Sequence, residues 1–158
     1  MRQNCGVVFM AAALAFGCGD SNQIESDYVG PRTTEFKTGV SFAVCLIAKS
    51  AGPRTIEQVS PFAPDTSVLL LQPPILTNQD VSAVTLEEAP AQWASLTVQL
   101  HQHAGEKLAA AAKNEGSEFA TLIDDKIVAI QKASTVKDTS FVTVSESMSV
   151  PNIRTAVE

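Results

Sequence analysis

The chain has 158 residues, 45% of them apolar, and its 11 Lys/Arg against 17 Asp/Glu give a net charge of -6. That length suits one domain with an ordinary core. The acidic balance, with no basic cluster, argues against nucleic acid or an anionic lipid surface as partner.

Met1 to Gly17 has the organisation of an export signal: Arg2 is its only charge, and an apolar run follows from Val7 to Phe16. That run is half the length of about 20 residues that a spanning helix needs, so it fits a cleaved signal. No later segment is longer: Val40 to Ala48 ends at Lys49, and Val68 to Leu71 ends at Gln72-Pro73-Pro74. The sequence Leu14-Ala15-Phe16-Gly17-Cys18-Gly19-Asp20 resembles the bacterial lipoprotein signal, in which small residues precede a cysteine that becomes the acylated amino terminus. The resemblance implies lipid attachment at Cys18. Gly19, where enteric lipoproteins retained at the inner membrane carry aspartate, implies the periplasmic face of the outer membrane. Residues 18–34 then read as a flexible tether and 35–158 as the domain. Ordinary cleavage after Gly17 is the alternative, since Ala15-Phe16-Gly17 also has the small-x-small form; the product would be a soluble secreted domain. Cys18 would then be free to form a disulfide with Cys45, the cysteine left once Cys5 departs with the signal.

Within the domain, Glu35 to Lys49 is the first structured segment. Val40, Phe42, Val44 and Leu46 alternate with Ser41, Ala43, Cys45 and Ile47, and both sets are mostly apolar, as in a strand buried on two faces. Cys45 in such a run reads as a small buried hydrophobe. Ser50 to Ser67, rich in Pro, Ser and Gly, reads as a long loop; Val68 to Gln72 is a short strand, and Thr77-Asn78-Gln79-Asp80 a turn. Ala83 to Glu88 and Trp93 to Leu100 predict a hairpin, the second run alternating Leu96, Val98 and Leu100 with polar residues. His103 to Asn114 predicts the one main helix, because Ala104, Leu108, Ala111 and Ala112 form an apolar stripe and Asn114-Glu115-Gly116 stops it. Phe119 to Ile123 and Ile127 to Ile130 flank Asp124-Asp125-Lys126, a tight turn, and Ser140 to Ser145 gives the last strand. The expected fold is therefore α+β: an antiparallel sheet of about five or six strands packed on one helix.

This order of elements resembles the head subdomain of the first extracytoplasmic domain of SecD/SecDF, the protein-export subunit. Leu76-Thr77-Asn78-Gln79-Asp80 stands where that family has a Leu-Thr-Gly-Asp-like turn. Ala104-Gly105-Glu106-Lys107-Leu108-Ala109 is similar to its helix, and Thr121-Leu122-Ile123-Asp124-Asp125-Lys126-Ile127-Val128 to its apolar-Leu-Asp-Gly-Lys-Val hairpin. Two departures stand out. Asp125 occupies the turn-glycine position, and His101-Gln102-His103 replaces the residues that cap and open the helix. The ion-conducting membrane segments of that family have no counterpart here, so the resemblance implies the fold and contact with extended or unfolded polypeptide, not proton-coupled pulling.

Candidate chemistry is sparse. His101 and His103 would share a face if the strand ran through both, but no third metal ligand accompanies them. Asp124 and Asp125 sit where a hairpin turn wants short polar residues. Trp93 reads as a core or hairpin-packing residue. No Gly-x-Ser-x-Gly elbow or phosphate-binding glycine loop is present. The expectation is a lipid-anchored, non-enzymatic module without cofactor or metal. Its partner is a protein or extended polypeptide, taken up as an added strand near Ser140 to Ser145. A structural or assembly lipoprotein that reuses the fold without binding peptide is the alternative, and an enzyme or metal protein built on His101 and His103 the third.

Overall fold

The computed structural model describes residues 29–89, 93–113, 117–136, 138–145 and 153–157. Cys18, the signal and the first part of the tether, like the helix-stop residues Asn114 to Gly116, lie outside the described residues.

Among the described residues the fold is mostly antiparallel sheet with one α-helix, and ten strands form three sheets. The first sheet has the order β1 (Val29–Thr34), β6 (Val81–Ala89), β7 (Trp93–Leu100), β10 (Phe141–Ser145). In the second the order is β5 (Leu76–Thr77), β2 (Phe42–Leu46), β8 (Glu118–Ile123), β9 (Lys126–Lys132). A two-stranded ribbon, β3 (Thr55–Ser60) with β4 (Ala63–Leu71), forms the third. The single helix α1 (Gln102–Ala112) links β7 to β8 and packs against β5 and a 3₁₀ turn at Ala133–Thr135.

The two four-stranded sheets bury one core between them. Leu96, Val98 and Leu100 of β7, Val84 and Leu86 of β6, and Val142 and Val144 of β10 meet Phe42, Val44, Phe119 and Ile123 of the second sheet. Ala104 and Leu108 of α1 complete it from the helix side. The opposite face of the first sheet is hydroxyl-rich, with Thr33, Thr85, Thr97 and Thr143 in one cross-strand row. β2 and β8 are buried on both faces, because the ribbon covers the far side of the second sheet: Val68 and Leu70 pack on Cys45, Ala120, Leu122 and Ile127. The double apolar alternation of residues 40–47 therefore has the meaning expected of it.

Three expectations need correction. The described residues hold ten strands and not five or six, and the main packing partner of each large sheet is another sheet rather than the helix. Ser50 to Ser67 is no loop: Thr55–Ser60 and the first half of β4 form the ribbon, whose exposed residues mix polar with apolar on both faces, Ile56 on one and Val59 on the other, and so lack the period-2 signal. The segment read as tether ends earlier than Thr34, since Val29–Thr34 pairs with β6 as an edge strand. Pro31 is tolerated there because an edge position needs no ladder donor on its outer side.

Candidate functional site

Two places gather side chains or backbone groups that local structure alone does not explain. The first is the junction of β5, β6 and α1. Asn78, in the 3₁₀ turn Asn78–Asp80, accepts the Phe42 N–H through Oδ1 at 2.7 Å and donates Nδ2–H to the Val40 carbonyl at 3.0 Å. One side chain thus continues the β5–β2 ladder beyond Leu76 and Thr77. Two residues on, Asp80 is only 5% exposed. It accepts the Thr77 N–H at 2.9 Å, Lys107 Nζ at 3.0 Å and His103 Nε2 at 3.2 Å, while its carbonyl accepts the His101 N–H at 2.9 Å. Burial would raise the pKa of this carboxyl, but the Lys107 ammonium, the Thr77 amide and His103 together hold it below the ordinary carboxylate value.

This arrangement explains how α1 is anchored despite a poor cap. His101, the N-cap, makes no side-chain capping bond. The helix is instead held by Asp80 and by a close approach at Gly105, where a Cβ would lie 2.8 Å from the Thr139 carbonyl oxygen. His101 and His103 do not share a strand face: the chain turns into the helix between them, their rings stack with centroids 5.7 Å apart, and His103 Nε2 is committed to Asp80. With Gln79, Gln102 and Glu106 they line an open depression. Among the described residues no three His, Cys, Asp or Glu side chains are grouped to hold a metal ion.

Asp124 and Asp125 form the two-residue turn between β8 and β9 with φ of 50° and 59°. Both are left-handed, as the twist of a tight hairpin requires. Asp124 is also latched to the start of β2, donating its N–H to the Ser41 carbonyl at 2.9 Å and accepting the Ser41 N–H through Oδ1 at 3.1 Å. The Asp125 carbonyl accepts Gln58 Nε2 from the ribbon. These aspartates are turn and docking residues, Asp124 through its carboxylate and backbone and Asp125 through its carbonyl. Trp93 opens β7 at the hairpin with 40% of its surface exposed, so it is not a core residue.

Cys45 is 1% exposed in the core under the ribbon, and burial pushes its thiol pKa up against a weak contact from Gln72 Nε2 at 3.9 Å. A bridge from Cys18 would have to lift the ribbon off the second sheet.

The second place is that ribbon. Of the five large apolar residues that are exposed among the described residues, Ile56, Val59 and Phe62 lie on it; the others are Trp93 and Phe141. The sequence hid this feature by presenting the segment as a loop. The edge expected to receive a strand, β10, is less open: the outward Thr143 carbonyl accepts Gln131 Nε2 from β9 at 3.4 Å, so the two large sheets close on each other there.

No helix among the described residues is long and apolar enough to cross a membrane. The chain matches no protein family, and no curated protein or solved structure is significantly similar to it.

Proposed function

We propose that the chain is a membrane-tethered, non-enzymatic binding module, held through lipid on Cys18 at the periplasmic face of the outer membrane, whose domain engages extended or unfolded polypeptide. The carrying observation is the concentration of Ile56, Val59 and Phe62 on one exposed ribbon, on a chain whose other described apolar residues are largely gathered into two cores. Large apolar side chains left exposed together on one element support an interaction site there. The resemblance of residues 76–80 and 122–128 to the SecD head, which is associated with polypeptide at a membrane surface, supports the same reading.

The test is a titration of the mature domain with a permanently unfolded model polypeptide and with its folded counterpart, read by fluorescence anisotropy. Saturable binding of the unfolded form alone is expected. Indifference to both, with one folded partner recovered by crosslinking in the envelope, would assign a structural role instead.

A further inference from the structure

We infer that the outer edge of β3 is the docking site, and that it accepts an extended polypeptide strand with a basic side chain opposite Glu57. This rests on the polypeptide-binding reading and places it on particular backbone groups.

The direction of those groups follows from the ladder. The Gln72 N–H donates to the Arg54 carbonyl at 2.8 Å, and the register runs Thr55↔Leu71, Ile56↔Leu70, Glu57↔Leu69, Gln58↔Val68. Antiparallel pairs alternate between bonded and non-bonded, so Arg54, Ile56 and Gln58 face β4, while Thr55, Glu57 and Val59 point their N–H and C=O groups outward. The Thr55 N–H is satisfied locally by the Gly52 carbonyl at 3.1 Å. Glu57 and Val59 are exposed, and β3 pairs with β4 alone.

Among the described strands, every other edge is guarded in a recognised way. β1 carries Pro31 and a register shift. β9 begins and ends in Lys126 and Lys132, and its pairing with β8 is irregular. β10 is closed at Thr143 by Gln131, and β5 has only two residues. The outer half of β4 contains Pro64, and its inner half is bridged to Ile47 and Ala48. β3, Thr-Ile-Glu-Gln-Val-Ser, has no Lys and no Pro, and its one register shift, between Val59 and Ser60, falls at its end and leaves the run from Thr55 to Val59 regular. It also has a vacancy beside it. Ile56 stands on the face that the ribbon turns to the second sheet, yet it is 54% exposed while its cross-strand neighbour Leu70 is 2% exposed. An added strand would cover Ile56 and pair the outward groups of Glu57 and Val59 in one step. Charge selects the occupant: Glu57 lies mid-strand on a chain of net charge -6, which repels a second copy and favours a cationic segment.

The experiment uses the mature chain and a blocked nine-residue probe of alternating Val and Thr with a central Lys. Amide exchange at Glu57 and Val59 is followed by NMR. Both amides should exchange freely in the protein alone and become protected with the probe. Val59→Pro removes an outward N–H without touching the ladder to β4 and should weaken probe binding about tenfold. Ile56→Lys, a charge on the same edge, should do likewise if the proline variant is poorly folded. Glu57→Lys should transfer preference to a probe with central Glu. Protection of the two amides without probe, whether by another part of the chain or in a concentration-dependent dimer, would overturn the assignment. So would probe affinity unchanged in both edge variants. Edge variants that still bind unfolded polypeptide as well as wild type would sink the β3 site and leave the binding function standing; a wild-type protein that binds neither would sink both.

Discussion

At the scale of single residues, Asp80 ties together the junction of β5, β6 and α1. Its carboxylate is buried, pairs with Lys107 and His103, and reaches back to Thr77, joining three elements. Asp80→Asn should cost about 1–3 kcal/mol, since the exposed Lys107 can resolvate while the buried acceptor positions are lost. The sign of the pH effect follows from the lowered carboxyl pKa. The carboxylate's contribution is complete above about pH 4 and fades as pH falls through the lower folded value. Urea unfolding from pH 5 downward should therefore show a steeper loss for wild type than for Asp80→Asn. Asp125 makes the opposite case. At φ of 59° it holds a conformation that costs an L-residue about 1–2 kcal/mol. Only its carbonyl serves Gln58. Asp125→Gly should raise stability by about 0.5–1 kcal/mol, part of the relief being offset by the greater freedom of glycine in the unfolded chain, as a shift of the urea midpoint would show.

At the scale of elements, Gly105 decides how α1 sits. Helix propensity alone favours alanine at this position, the fourth of α1, by up to about 1 kcal/mol. Yet a Cβ there would lie 2.8 Å from the Thr139 carbonyl oxygen, which is backbone and cannot swing aside. Gly105→Ala should therefore destabilise, by about 1–3 kcal/mol in thermal unfolding, despite the propensity gain. The same contrast between local and long-range causes explains which elements were legible. The β6–β7 hairpin, the two-faced β2, the Asp124-Asp125 turn and the stripe of α1 are written in spacings of two to eight residues, so they read directly. β3 did not, because a ribbon covering one sheet with one face leaves Glu57 and Val59 outside and Gln58 partly inside, blurring the alternation. β1 was obscured by Gly30 and Pro31, acceptable only because the strand is an edge. The two histidines stand out in the sequence, but the partner of His103 lies 23 residues away, beyond any local pattern.

At the scale of the molecule, the proposed anchor and the described domain constrain each other. Cys18 lies eleven residues before Val29, where β1 begins, so a lipid on Cys18 would keep the domain within about 40 Å of the bilayer even at full extension. The ribbon edge would then meet polypeptide emerging near that surface rather than in bulk. The two later cysteines make the anchor measurable without any assumption about partners. If Cys18 is acylated, the mature chain carries one thiol, Cys45, which is buried and has its pKa raised. Native protein should resist alkylation and denatured protein should take up one equivalent, while intact mass shows the acyl chains. Cys18→Ser should remove the acyl mass and release the protein from the membrane fraction, with the Cys45 thiol behaving as before. Two thiols in denaturant at an unmodified mass would instead mean ordinary cleavage after Gly17. Two thiols appearing only after reduction would mean a bridge that has opened the core beneath the ribbon, and with it the surface on which β3 stands.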